Sequence, residues 1–279
     1  MPRDSDQDGT PQGVFGAELR YYRERAGLSQ TELAVLVNVS HDVISKIETG
    51  ERPPAKDFPE RLDAVPELDT HGALARIWGN LSKGLRNRAI PGWFRPWAEL
   101  EAAATALRSY EPLLVPGLLQ TEDYARAVLR GAQADATEDQ IDQQVAARLA
   151  RQEILARENP PRLWAVLDEG VLHRAISEAK VMHDQLVRVA EMSERPRMSI
   201  QVIPFAAGAR TGLLGAFVIA TLDGDGSNVY LETATTGQVV EVPSATREAA
   251  LIFDNLRGEA LPRTASRDLI MKVAQERWT

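Results

Sequence analysis

Apolar residues recur along this chain with two periods, and the period changes close to residue 195. Phe15, Leu19, Tyr22 and Ala26 are spaced four, three and four apart, which lays one stripe along a helix. Gly27 supplies a left-handed stop. Ser29-Gln30-Thr31-Glu32 has the form of a capping box, a serine N-cap with glutamate at the third helical position. Leu33, Leu36 and Val37 then face one way. Asn38 can adopt the positive φ that reverses the chain. Ser40 is a second N-cap, Val43, Ile44 and Ile47 form a buried face, and Gly50 followed by Pro53-Pro54 ends the helix. Two more helical patterns follow, Phe58/Leu62/Val65 and Leu74/Ile77/Trp78/Leu81. Residues 15–80 therefore read as five short helices in one small bundle, behind a polar, disordered tail over residues 1–13.

From Leu81 to Ala98 the composition shifts. Lys83, Arg86, Arg88 and Arg95 occur with no acid among them, Pro91-Gly92 interrupts, and Trp93, Phe94 and Trp97 cluster, which marks a domain junction. Helical spacing resumes at Leu100–Leu107 and breaks at Glu111-Pro112. VPGLLQTEDYARAVLRG (115–131) reads as a type II corner at Pro116-Gly117, then a helix capped by Thr121. A capping box at Thr137–Gln140 opens a longer helix striped by Ile141, Val145, Leu149, Gln152 and Leu155. RLWAVLDE is a strand running into a short helix near Glu169–Ile176, and Val181–Met192 is another helix. The period then drops to two. MSIQVIPF, GAFVIATL, SNVYLET and QVVEV read as strands, with Asp223–Gly226 as a hairpin turn. Two amphipathic helices, about 245–257 and 267–278, follow Ser244 and Ser266 as caps. The expected fold is α+β: a five-helix domain over 14–80, a junction over 81–98, and a domain over 99–279 with a small, mainly antiparallel sheet.

Composition narrows the function. The 279 residues include no cysteine, which excludes disulfides, thiolate metal sites and cysteine nucleophiles and fits a cytoplasmic setting. The polar N-terminus lacks the apolar core of a signal peptide, and no apolar run approaches the ~18 residues that span a bilayer, so no membrane association is expected. The four histidines lie far apart, without metal-ligand spacing, and no cofactor is expected. The net charge of −8 counts against a bulk nucleic-acid coat but not against a small DNA-reading module on an acidic body.

Two capped helices joined by so short a turn form a helix-turn-helix, which lets the second helix enter a major groove while the first crosses the backbone. Ser40, His41, Asp42 and Ser45 would then face DNA, with Lys46 one turn on. The stretch resembles the xenobiotic-response-element (lambda-repressor-like) helix-turn-helix family in LSQTELA, in the VS before the second helix, and in ISKIETG. The resemblance implies that Gln30, beside Thr31, meets a phosphate and that His41, Asp42, Ser45 and Lys46 sit in the groove. Asp42 departs from the expected chemistry, since a carboxylate can accept from cytosine N4 but repels phosphate. Residues 15–60 hold six basic and eight acidic side chains, so the module depends on dimerisation for affinity. Arg52, Lys83, Arg86 and Arg88 are candidate phosphate contacts. The competing reading is a helix-turn-helix used only for packing or protein contact.

The remainder also resembles a known arrangement. YEPLLVPGLLQTEDYARAVL (110–129), with WFRPWAELEAAA, LDEGVLHRAI, QVIPF and VYLE, is similar to a domain that follows this helix-turn-helix in many actinobacterial regulators, the WhiJ-type, antitoxin-like group. The resemblance implies that the C-terminal domain senses a small neighbour-encoded protein or a ligand; the chain is expected to act as a dimeric repressor at its own or a neighbouring promoter, since one small module buries too little surface for tight specific binding. Trp93, Trp97, Pro116, Gln120 and Tyr124 are the candidate partner or ligand residues. Taken as residues alone, the same apolar corner serves equally as scaffold. The alternative function is an antitoxin-like module that sequesters a small partner, with DNA binding secondary. Leu269, Ile270, Val273 and Trp278 offer one face for a dimer or, equally, for closing the domain. No phosphate loop, dinucleotide fingerprint or nucleophile elbow occurs, and Glu169 with His173 is adequately read as an i,i+4 contact, so no enzyme is expected.

Overall fold

The computed structural model describes residues 10–279 except Lys56, 208–214 and Asp225, and leaves the side chains of Lys83, Leu85, Arg86, Asn87 and Arg88 undescribed. The chain divides into two compact units, residues 1–87 and 88–279.

The first unit holds α1 (Pro11–Arg25), α2 (Gln30–Leu36), α3 (His41–Glu48), α4 (Phe58–Asp63) and most of α5 (Ala73–Ala89). α1 begins earlier than its apolar stripe suggests. The Thr10 hydroxyl accepts from the Gly13 N–H at 3.0 Å and Pro11 occupies the first turn, so residues 10–13 are ordered. Residues 1–9, the rest of the expected tail, lie outside the described residues. Phe15, Leu19, Leu33, Ile44, Ile47 and Leu62 fill the core. The capping box at Ser29 forms, and Asn38 takes φ 50° in the turn. Gly16 sets the distance between α1 and α3: a Cβ there would lie 2.4 Å from the Ile47 carbonyl oxygen. Asp63 caps α5 by accepting from the N–H groups of Leu74 (3.1 Å) and Ala75 (2.8 Å).

The second unit carries α6 (Arg95–Ala103), β1 (Ala106–Glu111), α7 (Glu122–Ala132), α8 (Glu138–Arg151), β2 (Arg162–Asp168), α9 (Glu169–His173), α10 (Ala179–Ser193), β3 (Met198–Ile203), β4 (Phe217–Thr221), β5 (Ser227–Glu232), β6 (Gly237–Val240), α11 (Pro243–Glu259) and α12 (Arg263–Arg277). The six strands form one sheet in the order β3-β2-β1-β4-β5-β6. The fold is α+β, as expected. Three of the strand pairings are antiparallel, but β1–β2 and β2–β3 are parallel, so the sheet is mixed. Parallel neighbours need long crossovers, and α7–α8 and α9–α10 supply them. One face of the sheet buries Leu107, Leu163, Ile200 and Tyr230 against Trp97, Tyr124, Leu186 and Ile270; the other buries Val166, Ile219 and Val229 against Phe253 and Leu256 of α11.

Several local expectations are corrected. Leu100–Leu107 is not continuous helix: Ala104 turns extended (φ −64°, ψ 142°), and the next residues form β1, the strand at which the sheet changes from parallel to antiparallel. Its alternation of Arg108, Ser109, Tyr110 and Glu111 is too polar to be read as a strand without its neighbours. The corner at Pro116 is not type II, because Gly117 opens a 3-10 turn (Gly117–Leu119) closed by the Leu119 N–H donating to the Pro116 carbonyl at 2.8 Å. Ser244 and Ser266 are not caps. Pro243 and Arg263 open the two helices, after Val242 and Pro262. Ser266 is fully buried instead: its hydroxyl accepts from the Val202 N–H (3.0 Å) and donates to the Leu261 carbonyl (3.1 Å). The last helix does not present Ile270, Val273 and Trp278 outward. They are buried within their own unit, and the Trp278 indole N–H donates to the Leu172 carbonyl at 2.9 Å.

Candidate functional site

In the first unit the polar residues of α2 and α3 fall into two groups. Ser40, His41, Asp42 and Lys46 are exposed at and along α3, Ser45 is half-buried, Thr31 is exposed on α2, and Arg52 is exposed just beyond. Ser40 stands at the N-cap, but its hydroxyl makes no capping bond. Asp42 pairs with Lys46 at 2.9 Å, one turn along the same face, so the carboxylate is balanced within the helix.

The other group fixes that helix in place. The Glu48 side chain is fully buried. Its Oε1 accepts from Arg23 Nε at 2.5 Å and its Oε2 from Arg23 Nη2 at 2.9 Å, a bidentate pair. Gln30 Nε2 donates to the same Oε2 at 2.8 Å, and Arg23 Nη1 donates to the Leu28 carbonyl at 2.8 Å. These bonds tie α1, the start of α2 and the end of α3 together. The Gln30 amide, expected to meet a phosphate, thus spends a donor inside the fold. The side chains of Lys83, Arg86 and Arg88 lie outside the described residues.

The second unit holds a half-open cavity of about 170 Å³. Its floor is the sheet, at Leu107, Ser109 and Glu111 of β1 and Tyr230 and Glu232 of β5. Its walls come from α6, α8 and the corner at residues 114–120. The corner is held by glutamines that satisfy its backbone. Gln152 donates to the carbonyls of Gly117 (2.9 Å) and Gln120 (2.8 Å). Buried Gln185 accepts from the Thr121 N–H (2.7 Å) and donates to the Leu119 carbonyl (2.9 Å). Trp97 stacks on Tyr230 with centroids 5.1 Å apart, and Phe94 meets Tyr230 edge-on at 5.4 Å. Gly237 leaves room for that ring: a Cβ there would lie 2.2 Å from the Tyr230 hydroxyl.

The charges around the cavity are unevenly matched. Arg151 and Glu101 form a bidentate pair (2.8 and 3.0 Å), with the guanidinium 4.3 Å above the Phe94 ring. Arg148 donates to Gln120 Oε1 at 2.8 Å, and desolvation with Arg151 nearby lowers its pKa to about 10. Glu111 accepts from the Ser109 hydroxyl at 3.2 Å. Desolvation, reinforced by the Glu232 charge, pushes its carboxyl up to about 8. The Tyr230 hydroxyl donates to Glu232 at 3.3 Å, and burial pushes that phenol well above the usual range.

Residues 14–76 match the family model of a helix-turn-helix domain. Residues 94–272 match the model of a domain of unknown function, DUF5753. The chain belongs to the DUF5753 family. Its first unit is a helix-turn-helix DNA-binding domain, which makes the protein a DNA-binding regulator. No curated protein and no solved structure matches the chain. Among the described residues no helix is long and apolar enough to cross a membrane, and no group of histidines and acids is placed to hold a metal.

Of the five residues expected to serve the DUF5753 domain, Trp97, Pro116 and Gln120 line the cavity. Trp93 does not; it is exposed and meets Phe94 edge-on at 5.8 Å. Tyr124 is fully buried behind the corner, its hydroxyl accepting from the Val115 N–H at 3.3 Å. Burial raises that phenol to about 12. The charged lining, Glu101, Glu111, Arg148, Arg151 and Glu232, was missed. Its signals were present: Arg148 and Arg151 are i,i+3 on the helix striped by Val145 and Leu149, and Tyr230 and Glu232 share a strand face in VYLE. Glu169 does contact His173, at 3.6 Å, while its other oxygen accepts from the Phe205 N–H at 2.6 Å.

Proposed function

We propose that this DUF5753 protein is a sequence-specific transcriptional regulator of the XRE type, acting in the cytoplasm as a dimeric repressor. Its C-terminal domain responds to a small neighbour-encoded protein or ligand, as in the antitoxin-like, WhiJ-type regulators it resembles. The observation that carries this reading is α3: its outer face offers Ser40, His41, Asp42, Ser45 and Lys46, while its inner face is locked by the buried Glu48–Arg23–Gln30 cluster. A helix held by its buried end and polar along its free face suits a groove. Gln30 and Thr31 sit where the first helix would cross a backbone, with Arg52 adding positive charge nearby. One small module covers too little DNA for tight specific binding, so a dimer on half-sites roughly 34 Å apart follows. Repression would be promoter occlusion, relieved when a bound effector favours a state with lower DNA affinity. In this reading the chain is not an enzyme.

The test is a titration of the full chain against its own upstream DNA and a scrambled control at two salt concentrations. Preferential binding that weakens with salt is expected. His41→Ala should lose about 1–3 kcal/mol of preference, and Lys46→Ala should weaken both DNAs alike and reduce the salt slope by about 1. Absence of preference at both salts overturns the reading.

A further inference from the structure

The cavity of the DUF5753 domain has the size of a small ligand. An apolar cavity of roughly 150 Å³ takes up benzene, and this one, open to solvent on the side of exposed Glu232, offers about 170 Å³. It is not apolar. Trp97, Phe94 and Tyr230 form an aromatic wall, and five charged side chains share the remaining surface.

Their balance is informative. Three carboxylates (Glu101, Glu111 and Glu232) face two guanidiniums (Arg148 and Arg151). Glu101 and Arg151 neutralise each other in a closed bidentate pair. That leaves Glu111, Glu232 and Arg148, one negative charge in excess when all are ionised. Glu111 and Glu232 repel each other, and among the described residues each receives a hydrogen bond from one hydroxyl, Ser109 and Tyr230 respectively. At neutral pH a proton on Glu111 removes the excess. An aromatic wall beside an unmatched carboxylate is the chemistry that recognises organic cations. An anion on Arg148 would instead add to the excess, and a neutral ligand would gain nothing from the carboxylates.

We propose that this cavity binds a small organic monocation, an ammonium or guanidinium on a body of about one ring, with its charge at the Glu111 and Glu232 carboxylates and its body against Trp97 and Tyr230. The cation takes the place of the Glu111 proton, which is released to solvent: the carboxylic acid and the free cation become a carboxylate–cation pair and a hydrogen ion. The titratable and charged groups that line the cavity with Glu111 are Glu232 and Tyr230 from β5, Arg148 and Arg151 from α8 and Glu101 from α6, and the Tyr124 phenol from α7 lies within reach of the Glu111 charge. Both phenols are pushed upward by burial, so neither ionises in the range where Glu111 does.

The proposal deepens the ligand-sensing reading above, yet binding is measured without DNA, so the two fail separately. The full chain is titrated calorimetrically with benzylamine, phenylguanidine and choline, and with benzoate and benzyl alcohol as oppositely charged and uncharged counterparts. Measurements are made at about pH 6, 7 and 8 in two buffers of different ionisation heat. At least one cation is expected to bind one-to-one, at least about tenfold tighter than either counterpart, with affinity rising up to about tenfold per pH unit as one proton is released. Glu111→Gln should abolish the proton release and weaken binding about tenfold or more. Glu232→Gln, at an exposed position, should weaken it with the fold intact. Benzoate or benzyl alcohol binding as well as the cations, no cation binding below about 10 mM, or an unchanged pH dependence in Glu111→Gln overturns the site. A cation that binds but leaves DNA affinity unchanged removes the sensing role and leaves the site standing.

Discussion

Glu48 is a buried glutamate and Glu111 a half-buried one, and their partners set them further apart. Glu48 is met by two nitrogens of Arg23 and by the Gln30 amide, with Arg20 at 3.8 Å. Arg23 spends its remaining reach on a backbone carbonyl and on Glu24. The cluster is closed, and its consequence is geometric: it fixes α3 against α1 and α2. Glu111 is met by one serine hydroxyl and by the repulsion of Glu232, at the edge of a cavity. A polar cluster that satisfies itself stabilises a fold, whereas one that carries an unmatched charge beside open volume awaits something to complete it.

The same substitution should therefore have opposite signs in the two places. Glu48→Gln removes the charge that compensates buried Arg23, and breaking a buried pair in this way costs about 3–5 kcal/mol. Denaturant unfolding of the full chain should show the helix-turn-helix transition moving to much lower denaturant while that of the DUF5753 domain stays in place. A loss below about 1 kcal/mol would mean that the cluster does not hold α3.

Glu111→Gln should be neutral in acid and stabilising at alkaline pH. The folded-state pKa, about 8, lies above the ordinary value of 4.5, so folding favours the protonated form. That stability is fully present below about pH 4.5 and is lost as pH rises toward 8, with a slope of at most about 1.4 kcal/mol per pH unit. Glutamine mimics the protonated acid and cannot ionise, so the variant's stability should be flatter across this window and exceed the parent's near pH 8. Parallel stability curves for the two proteins would show that Glu111 is not held protonated.

The contrast between the clusters also marks what the sequence made legible. The Ser29 capping box, the turn at Asn38 and the exposed polar face of α3 are local features, written within the one stretch 29–46, and each reads directly from pattern. Glu48 looks like a surface residue of ISKIETG, because its partner Arg23 is 25 residues away and only the crossing of α1 and α3 brings them together. Gly16 is silent for the same reason. The cavity is a harder case. Glu111 and Glu232 lie on strands separated by β4, and the sequence of β1 continues the spacing of the helix before it, which hides its inward alternation. Parallel pairing through long crossovers leaves no mark in the period of a single strand. The resemblance in VPGLLQ and VYLE pointed to the right region without showing that its polar residues share one volume.

The smallest effect on stability concerns a third kind of charge pair. Asp42 and Lys46 are solvent-exposed and bridge one turn of α3. Such a pair contributes about 0.5 kcal/mol or less, so Asp42→Asn should barely move the unfolding transition. Its consequence lies in DNA binding. Lys46 now shares its charge with Asp42 on the face proposed to enter the groove, and the carboxylate stands close to incoming phosphate. Removing it should strengthen binding to non-specific DNA by several-fold, with a salt slope steeper by up to about 1. If binding instead weakens only on the cognate site, Asp42 accepts from a cytosine N4 amine there, and the pair with Lys46 positions a base contact. The two outcomes differ in the sign of the affinity change and in its dependence on sequence, so one titration series separates a charge that tempers affinity from one that reads a base.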